Sequence, residues 1–155
     1  MDNTKTITVN KKAYHDYSVL ESHEAGLALT GSEIKSIRLG RVNIKDAYAR
    51  PENGELWLYN SHVSAYQVGG FIDHQPDRRR KLLMHRNQIA MLAEMASQKG
   101  LTLVPLRIYI KNGVAKLELG VGRGKKQFDK RETIARRETD REVERAMKTR
   151  SRKAR

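Results

Sequence analysis

The sequence predicts a mainly β fold with small helices, an antiparallel β-barrel ending in a basic C-terminal tail that is disordered when free. Three observations carry this expectation. Two Asn-Gly dipeptides, Asn53-Gly54 and Asn112-Gly113, each divide a pair of strand-like segments. Asn-Gly supplies the positive φ angles of a type I′ turn, whose twist suits a right-twisted strand pair. The helix signals are few and short. Finally, residues 120–155 hold 14 Lys/Arg against 6 Asp/Glu, and beyond Gly122 only Phe128, Ile134, Val143 and Met147 are large and apolar. So few apolar side chains do not offset an ordering cost of about 1–2 kcal/mol per residue.

Taken in order, residues 1–10 read as a flexible lead. A strand pattern starts near Tyr17, where Tyr17, Val19, Ala25, Leu27 and Leu29 share one parity and Glu21 and His23 interrupt it. Thr30-Gly31-Ser32-Glu33 is a capping box, in which the Thr30 hydroxyl accepts from the Glu33 N–H and the Glu33 carboxylate accepts from the Thr30 N–H. A short helix through Ile34 and Ile37 follows and ends near Gly40. The first hairpin pairs residues 46–52 with 55–60. Gly69-Gly70 and Pro76 mark a loop that runs into Arg78-Arg79-Arg80-Lys81.

A second helix carries Ile89, Leu92, Ala93 and Ala96 on one face, with Gly100 as its C′ stop. In the second hairpin Val104, Leu106, Ile108 and Ile110 alternate on one face, as do Ala115, Leu117, Leu119 and Val121. Gly120, Gly122 and Gly124 read as a hinge that uncouples the barrel from the tail. Five or more short antiparallel strands with small helices fit a partly open barrel of the oligonucleotide-binding (OB) type. The expected division is a barrel over residues 1–122 and a tail over 123–155.

Charge is concentrated in the tail, with +8 of the chain's +13 in residues 120–155. Such a balance attracts phosphate backbones or anionic surfaces. A membrane is disfavoured, because no apolar run approaches the roughly 18 residues of a span. The N-terminal MDNTKTITVNKK lacks the apolar region of a secretory leader. There is no cysteine, which excludes a disulfide framework and thiolate metal sites and fits a reducing cytoplasmic compartment. Catalysis is not expected. The histidines His15, His23, His62, His74 and His85 form no HExxH or ligand-pair spacing. Lys126 stands where a phosphate-binding loop needs a hydroxyl, so residues 120–126 are not a nucleotide site. No cofactor or metal is expected.

RNA is the natural polyanion for a basic, helix-prone tail. The run Arg78–Lys81 is followed directly by Leu82-Leu83-Met84. Arg80 and Lys81 are therefore candidates to grip phosphates beside aliphatic side chains that pack on an unstacked base or sugar. The alternative for the run is an ordinary solvated loop. For the tail it is a salt-bridged surface helix, whose exposed pairs of about 0.2–0.5 kcal/mol each are too weak to hold it without tertiary contacts.

Four segments, NKKAYHDY (10–17), EAGLALTGSEIKSIRLGRVNIKDAY (24–48), RKLLMHRNQI (80–89) and GKKQFDKR (124–131), resemble the SsrA-binding protein (small protein B) family of bacterial trans-translation. The resemblance runs through the chain in order. It implies a small OB-like barrel that binds the tRNA-like domain of transfer-messenger RNA and carries it to stalled ribosomes. The tail would enter the empty message channel and become helical there. The partners implied are transfer-messenger RNA and the small ribosomal subunit with its rRNA, with alanyl-tRNA synthetase and elongation factor Tu in the same pathway. Enzymatic activity is not implied.

The resemblance assigns Glu24, Leu83 and His85 to the RNA-binding surface, with Glu24 accepting from ribose hydroxyls or base amino groups or orienting a basic neighbour. An ion-paired strand residue is the plain alternative for Glu24. The resemblance also assigns Lys11, Lys12 and His15 to the ribosomal decoding region. Tail contacts would come from Gly124, Lys125, Lys126, Asp129, Lys130 and Arg131, with Asp129 as N-cap of the tail helix. His85 stands where some family members have Asn. Phe128 fills a variable position where a histidine can occur, so stacking on a base is available there and hydrogen bonding is not.

Overall fold

The computed structural model describes residues 3–65, 67–68, 71–72 and 75–125. In chain order the elements are β1 (Thr4–Val9), α1 (Lys11–Asp16), β2 (Tyr17–Leu27), α2 (Gly31–Arg38), β3 (Val42–Asn43), β4 (Tyr48–Glu52) and β5 (Glu55–Tyr59). They continue with β6 (His62–Val63), β7 (Gln67–Val68), β8 (Phe71–Ile72), β9 (Arg80–Leu83), α3 (Arg86–Ala96), β10 (Leu101–Lys111) and β11 (Val114–Gly124).

Both predicted hairpins form. β4 pairs antiparallel with β5 and β10 with β11. The turn residues have φ of 50° at Asn53, 77° at Gly54, 50° at Asn112 and 80° at Gly113. The main sheet runs β1-β10-β11-β2-β9-β5-β4, and β4 also meets β10 at Leu103↔Ala49. That last pairing closes six strands into a ring. β10 serves two partners along one edge, β4 at Leu103 and β1 over residues 107–111. The mainly β class with small helices is thus the observed one.

The core fills the ring. Ala25, Leu56, Leu58, Leu82, Leu103, Leu117, Leu119 and Val121 point inward, with Ile37 of α2 and Leu92 of α3 packed among them. The capping box of α2 forms as read: the Glu33 N–H donates to Thr30 Oγ1 and the Thr30 N–H to Glu33 Oε1. Gly40, at φ 76°, stops the helix and donates to the Ile37 carbonyl.

Four expectations need correction. Residues 4–9 are not a lead but the edge strand β1, and α1 follows immediately. Asn10 joins them to the sheet. Its Oδ1 accepts from the Ala13 N–H at 3.1 Å, and its Nδ2 donates to the Ile44 and Pro105 carbonyls at 2.9 Å each. Secondly, Val104, Leu106, Ile108 and Ile110 do not share a face. The β10–β11 register shifts between Pro105 and Arg107, at a proline that has no N–H to give the ladder. Val104 and Leu106 therefore pack with Ala13 of α1 in a second small cluster, while Ile108 joins the main core.

Thirdly, Gly120 and Gly122 are not a hinge. β11 continues through Gly124, and a Cβ would lie 2.8 Å from Leu106 Cδ1 at Gly120 and 2.9 Å from Tyr17 Cβ at Gly122. Glycine lets neighbouring chains approach there. Finally, α3 ends at Ala96 with Ser97 as C-cap, so Gly100 (φ 85°) leads into β10 instead of capping the helix.

Candidate nucleic-acid interface

The residues expected at the RNA surface lie on three elements that the sheet brings side by side. β2 alternates, with Ala25 buried and Glu24 outward. In the β2–β9 register Gly26 faces Leu83, and in the β2–β11 register it faces Lys116. β9 alternates too, so Leu82 is buried and Leu83 is 50% exposed. His85 follows as the N-cap residue of α3 and donates its backbone N–H to Gln88 Oε1 at 3.4 Å. Glu24, Gly26, Leu83, Met84, His85, Gln88 and Lys116 line one open cleft of about 370 Å³.

This cleft brings Glu24 to Leu83 and His85, which are distant from it in sequence, takes in Met84 of the aliphatic run, and adds Gly26, Gln88 and Lys116, which sequence reasoning missed. Lys116 was legible, since it holds the outward parity of a strand whose odd positions are buried. Gly26 was legible only from space: a Cβ there would lie 3.2 Å from Leu83 Cβ, so glycine leaves room for the exposed leucine.

Glu24 is held from behind. The Tyr109 hydroxyl donates to its Oε2, and Lys111 Nζ lies 3.6 Å from the same oxygen. The Tyr109 hydrogen bond, helped by Lys111 and Lys116, holds the carboxyl below its ordinary range. Glu24 therefore has an ammonium neighbour, as its plain alternative required, and still faces the cleft. The cleft offers a fixed anion that accepts, an ammonium that donates, an imidazole, and an aliphatic platform at Leu83. Together these can hold ribose, base edge and phosphate.

The basic run behaves differently. Arg80 is 1% exposed, and its sequence-based candidacy as a phosphate ligand is corrected. Its Nε donates to Glu33 Oε2 at 2.5 Å and its other nitrogens to Ser61 Oγ and the Ser61, Arg78 and Pro76 carbonyls. It shares the inward parity of Leu82, and that parity was the available signal. Arg78 bonds both oxygens of Glu33. Arg79 lies over the Trp57 ring at 4.1 Å and bonds Glu52 at 2.7 Å. Lys81 is outward and pairs with Glu55 at 3.1 Å, outside the cleft. Most of the run is engaged in building the fold.

A second group sits on α1. Lys11 and Lys12 are exposed, and Lys12 Nζ lies 2.5 Å from Asp46 Oδ1. That bond raises the lysine pKa and lowers the aspartate's. His15 shares a 3.0 Å hydrogen bond with Asp16. Lys11, Lys12 and Lys45 border a small depression closed by Asn10 and Ile44. Gly124 ends β11, pairing with Tyr17, and Lys125 follows it. Lys126, Phe128, Asp129, Lys130 and Arg131 lie outside the described residues. Among the described residues no group of three or more His, Asp or Glu side chains could hold a metal, and no helix is long and apolar enough to cross a membrane.

Comparison with known proteins bears on this arrangement. The family model described as SmpB protein matches residues 7–149. A curated SsrA-binding protein of Dehalococcoides mccartyi is 57% identical over 146 residues, 94% of this chain and 85% of that protein. The SsrA-binding protein of Halalkalibacterium halodurans is 57% identical over 148 residues, 96% of each chain. That of Desulfitobacterium hafniense is 59% identical over 141 residues, 91% of this chain and 90% of the other. A solved chain described as "tmRNA-SmpB: a journey to the center of the bacterial ribosome" superposes with a TM-score of 0.66 at 47% identity, covering 77% of this chain and 85% of that one.

Proposed function

This chain belongs to the SmpB protein family, and from that premise we propose that it is an RNA-binding adaptor for ribosome rescue. It binds the tRNA-like domain of transfer-messenger RNA (SsrA) and delivers it to stalled ribosomes for trans-translation, while the C-terminal tail senses the empty message channel. One observation carries the reading: Glu24, Leu83 and His85 converge on a single cleft with Lys116 beside them. The names SsrA-binding protein and tmRNA-SmpB, borne by its relatives and its structural neighbour, point to the RNA that the cleft would hold.

Placement supports a division of labour within this reading. The cleft on β2, β9 and α3 reads the RNA. Lys11, Lys12 and His15 on α1 face the decoding region of the small subunit, and the segment from Gly124 through Arg131 leads the tail into the channel. Because β11 stays paired to Gly124, the working boundary lies after that residue, two positions beyond the one expected from composition. The protein works in the cytoplasm beside alanyl-tRNA synthetase and elongation factor Tu, and no catalytic step, metal or cofactor is assigned to it.

The test is a titration of the purified protein against transfer-messenger RNA with excess bulk tRNA as competitor at physiological salt. Tight binding that survives competition is expected. Complete loss to the competitor would reduce the interaction to generic charge attraction. A permanent ribosomal protein would then be the better description, checked by stoichiometric co-sedimentation with all ribosomes.

A further inference from the structure

We propose that Tyr109 is a positioning residue for RNA recognition: with Lys111 it fixes Oε2 of Glu24 and leaves Oε1 as the acceptor presented to the RNA. The inference deepens the cleft reading and rests on it.

Tyr109 is an anomaly of burial. It lies on the outward face of β10, on the parity of Arg107 and Lys111, yet it is only 4% exposed. Neighbouring side chains cover it. The Arg107 guanidinium lies 4.3 Å from its ring centroid, and Arg107 is itself tied to Glu118 Oε2 at 2.6 Å and Thr6 Oγ1 at 3.3 Å. Burial and the overlying guanidinium restrict the ring and so the position of its hydroxyl. In the sheet register Tyr109 faces Lys116 across β10–β11, and Glu118 faces Glu24 across β11–β2. The Tyr109 hydroxyl thus reaches past β11 to Glu24 Oε2, the oxygen that Lys111 also approaches. Among the described residues no hydrogen bond reaches Oε1.

A carboxylate in a polyanion site repels phosphate and accepts hydrogen bonds from ribose 2′-OH and from base amino or imino groups. That selectivity depends on direction. A freely rotating carboxylate loses rotamer entropy when it binds, whereas one pinned through Oε2 offers Oε1 along a fixed line. Lys111 neutralises part of the charge at the pinned oxygen, so repulsion of nearby phosphates falls while Oε1 stays a full acceptor. Burial and the Glu24 hydrogen bond push the tyrosine pKa upward, so the hydroxyl remains a donor at neutral pH.

The experiment compares wild type, Y109F, E24Q and the double variant in titrations against transfer-messenger RNA. Removing one hydrogen bond to a charged group predicts about a tenfold loss for Y109F. E24Q should lose at least as much, and the double variant no more than E24Q alone. Carboxyl-carbon NMR should show the Glu24 pKa rising in Y109F while the remaining amide spectrum stays in place. A purely structural role for Tyr109 would instead give losses that add in the double variant. Wild-type affinity in Y109F, or additive losses, would overturn the positioning role. Wild-type affinity in E24Q would overturn the cleft reading beneath it, which separates the two failures.

Discussion

Glu33 shows how one residue can serve three tasks. As N3 of α2 it closes the capping box, and as a buried anion it receives Arg78 and Arg80. Burial pushes its carboxyl upward, but the hydrogen bonds from Arg78, the Thr30 N–H and Arg80 outweigh burial and hold its pKa at about 2, against an ordinary 4.5. A depressed folded-state pKa stabilises the fold above the unfolded value, and that stabilisation disappears as pH falls from about 4.5 toward 2. Urea midpoints measured through that window should fall with pH in wild type and much less in E33Q. At neutral pH E33Q should cost about 3–5 kcal/mol, because it leaves Arg80 buried without its anion; a loss under 1 kcal/mol would show that Ser61 and the carbonyls suffice for the guanidinium. The capping box was legible in Thr30-Gly31-Ser32-Glu33, and the two arginine pairings were not. Glu33 and Arg80 are distant in sequence, and an arginine run looks like solvated surface until strand parity turns one member inward.

At the scale of elements, local chemistry was readable and long-range packing was not. Asn-Gly dictated both hairpins because only a few residues adopt their φ values. Nothing local announces β1, since TKTITV takes its stability from pairing with β10, or the bulge that sends Leu106 toward α1. The glycines of β11 test this distinction. At Gly122 an added methyl would meet Tyr17 Cβ, an atom fixed to the β2 backbone that no rotamer change can withdraw. G122A should therefore destabilise the fold by about 1–3 kcal/mol and lower Tm by several degrees. At Gly124 nothing lies within 4 Å of an added Cβ and the φ is not left-handed. G124A should melt with wild type. Equal melting of the two variants would restore the hinge interpretation for Gly122. The candidate site divides in the same way, for Leu83 and His85 stand next to each other in one segment, while Glu24, Lys116 and Tyr109 join them only through strand register.

For the whole molecule the deciding quantity is where charge and closure lie. The ring closes at the ladder pair Leu103↔Ala49, between strands that belong to different hairpins, and no sequence pattern encodes it. Charge is simpler: residues through Lys125 carry +7 of the net +13, and those beyond carry +6. Generic attraction to RNA would draw on both halves alike. The cleft reading makes them unequal, because Glu24, Leu83, His85 and Lys116 all precede Lys125. Truncation after Lys125 retains every paired residue of β11, so the shortened protein should fold. It should bind transfer-messenger RNA within a few-fold of full length and fail to support tagging on stalled ribosomes. Salt dependence makes the test quantitative. Each phosphate contact contributes about −0.7 to −0.9 to the slope of log K against log salt. If the tail takes no part in holding free transfer-messenger RNA, the two slopes coincide. If the truncated slope is shallower by several units, the tail is gripping that RNA, and the assignment of cleft to RNA and tail to message channel fails even if tagging is lost.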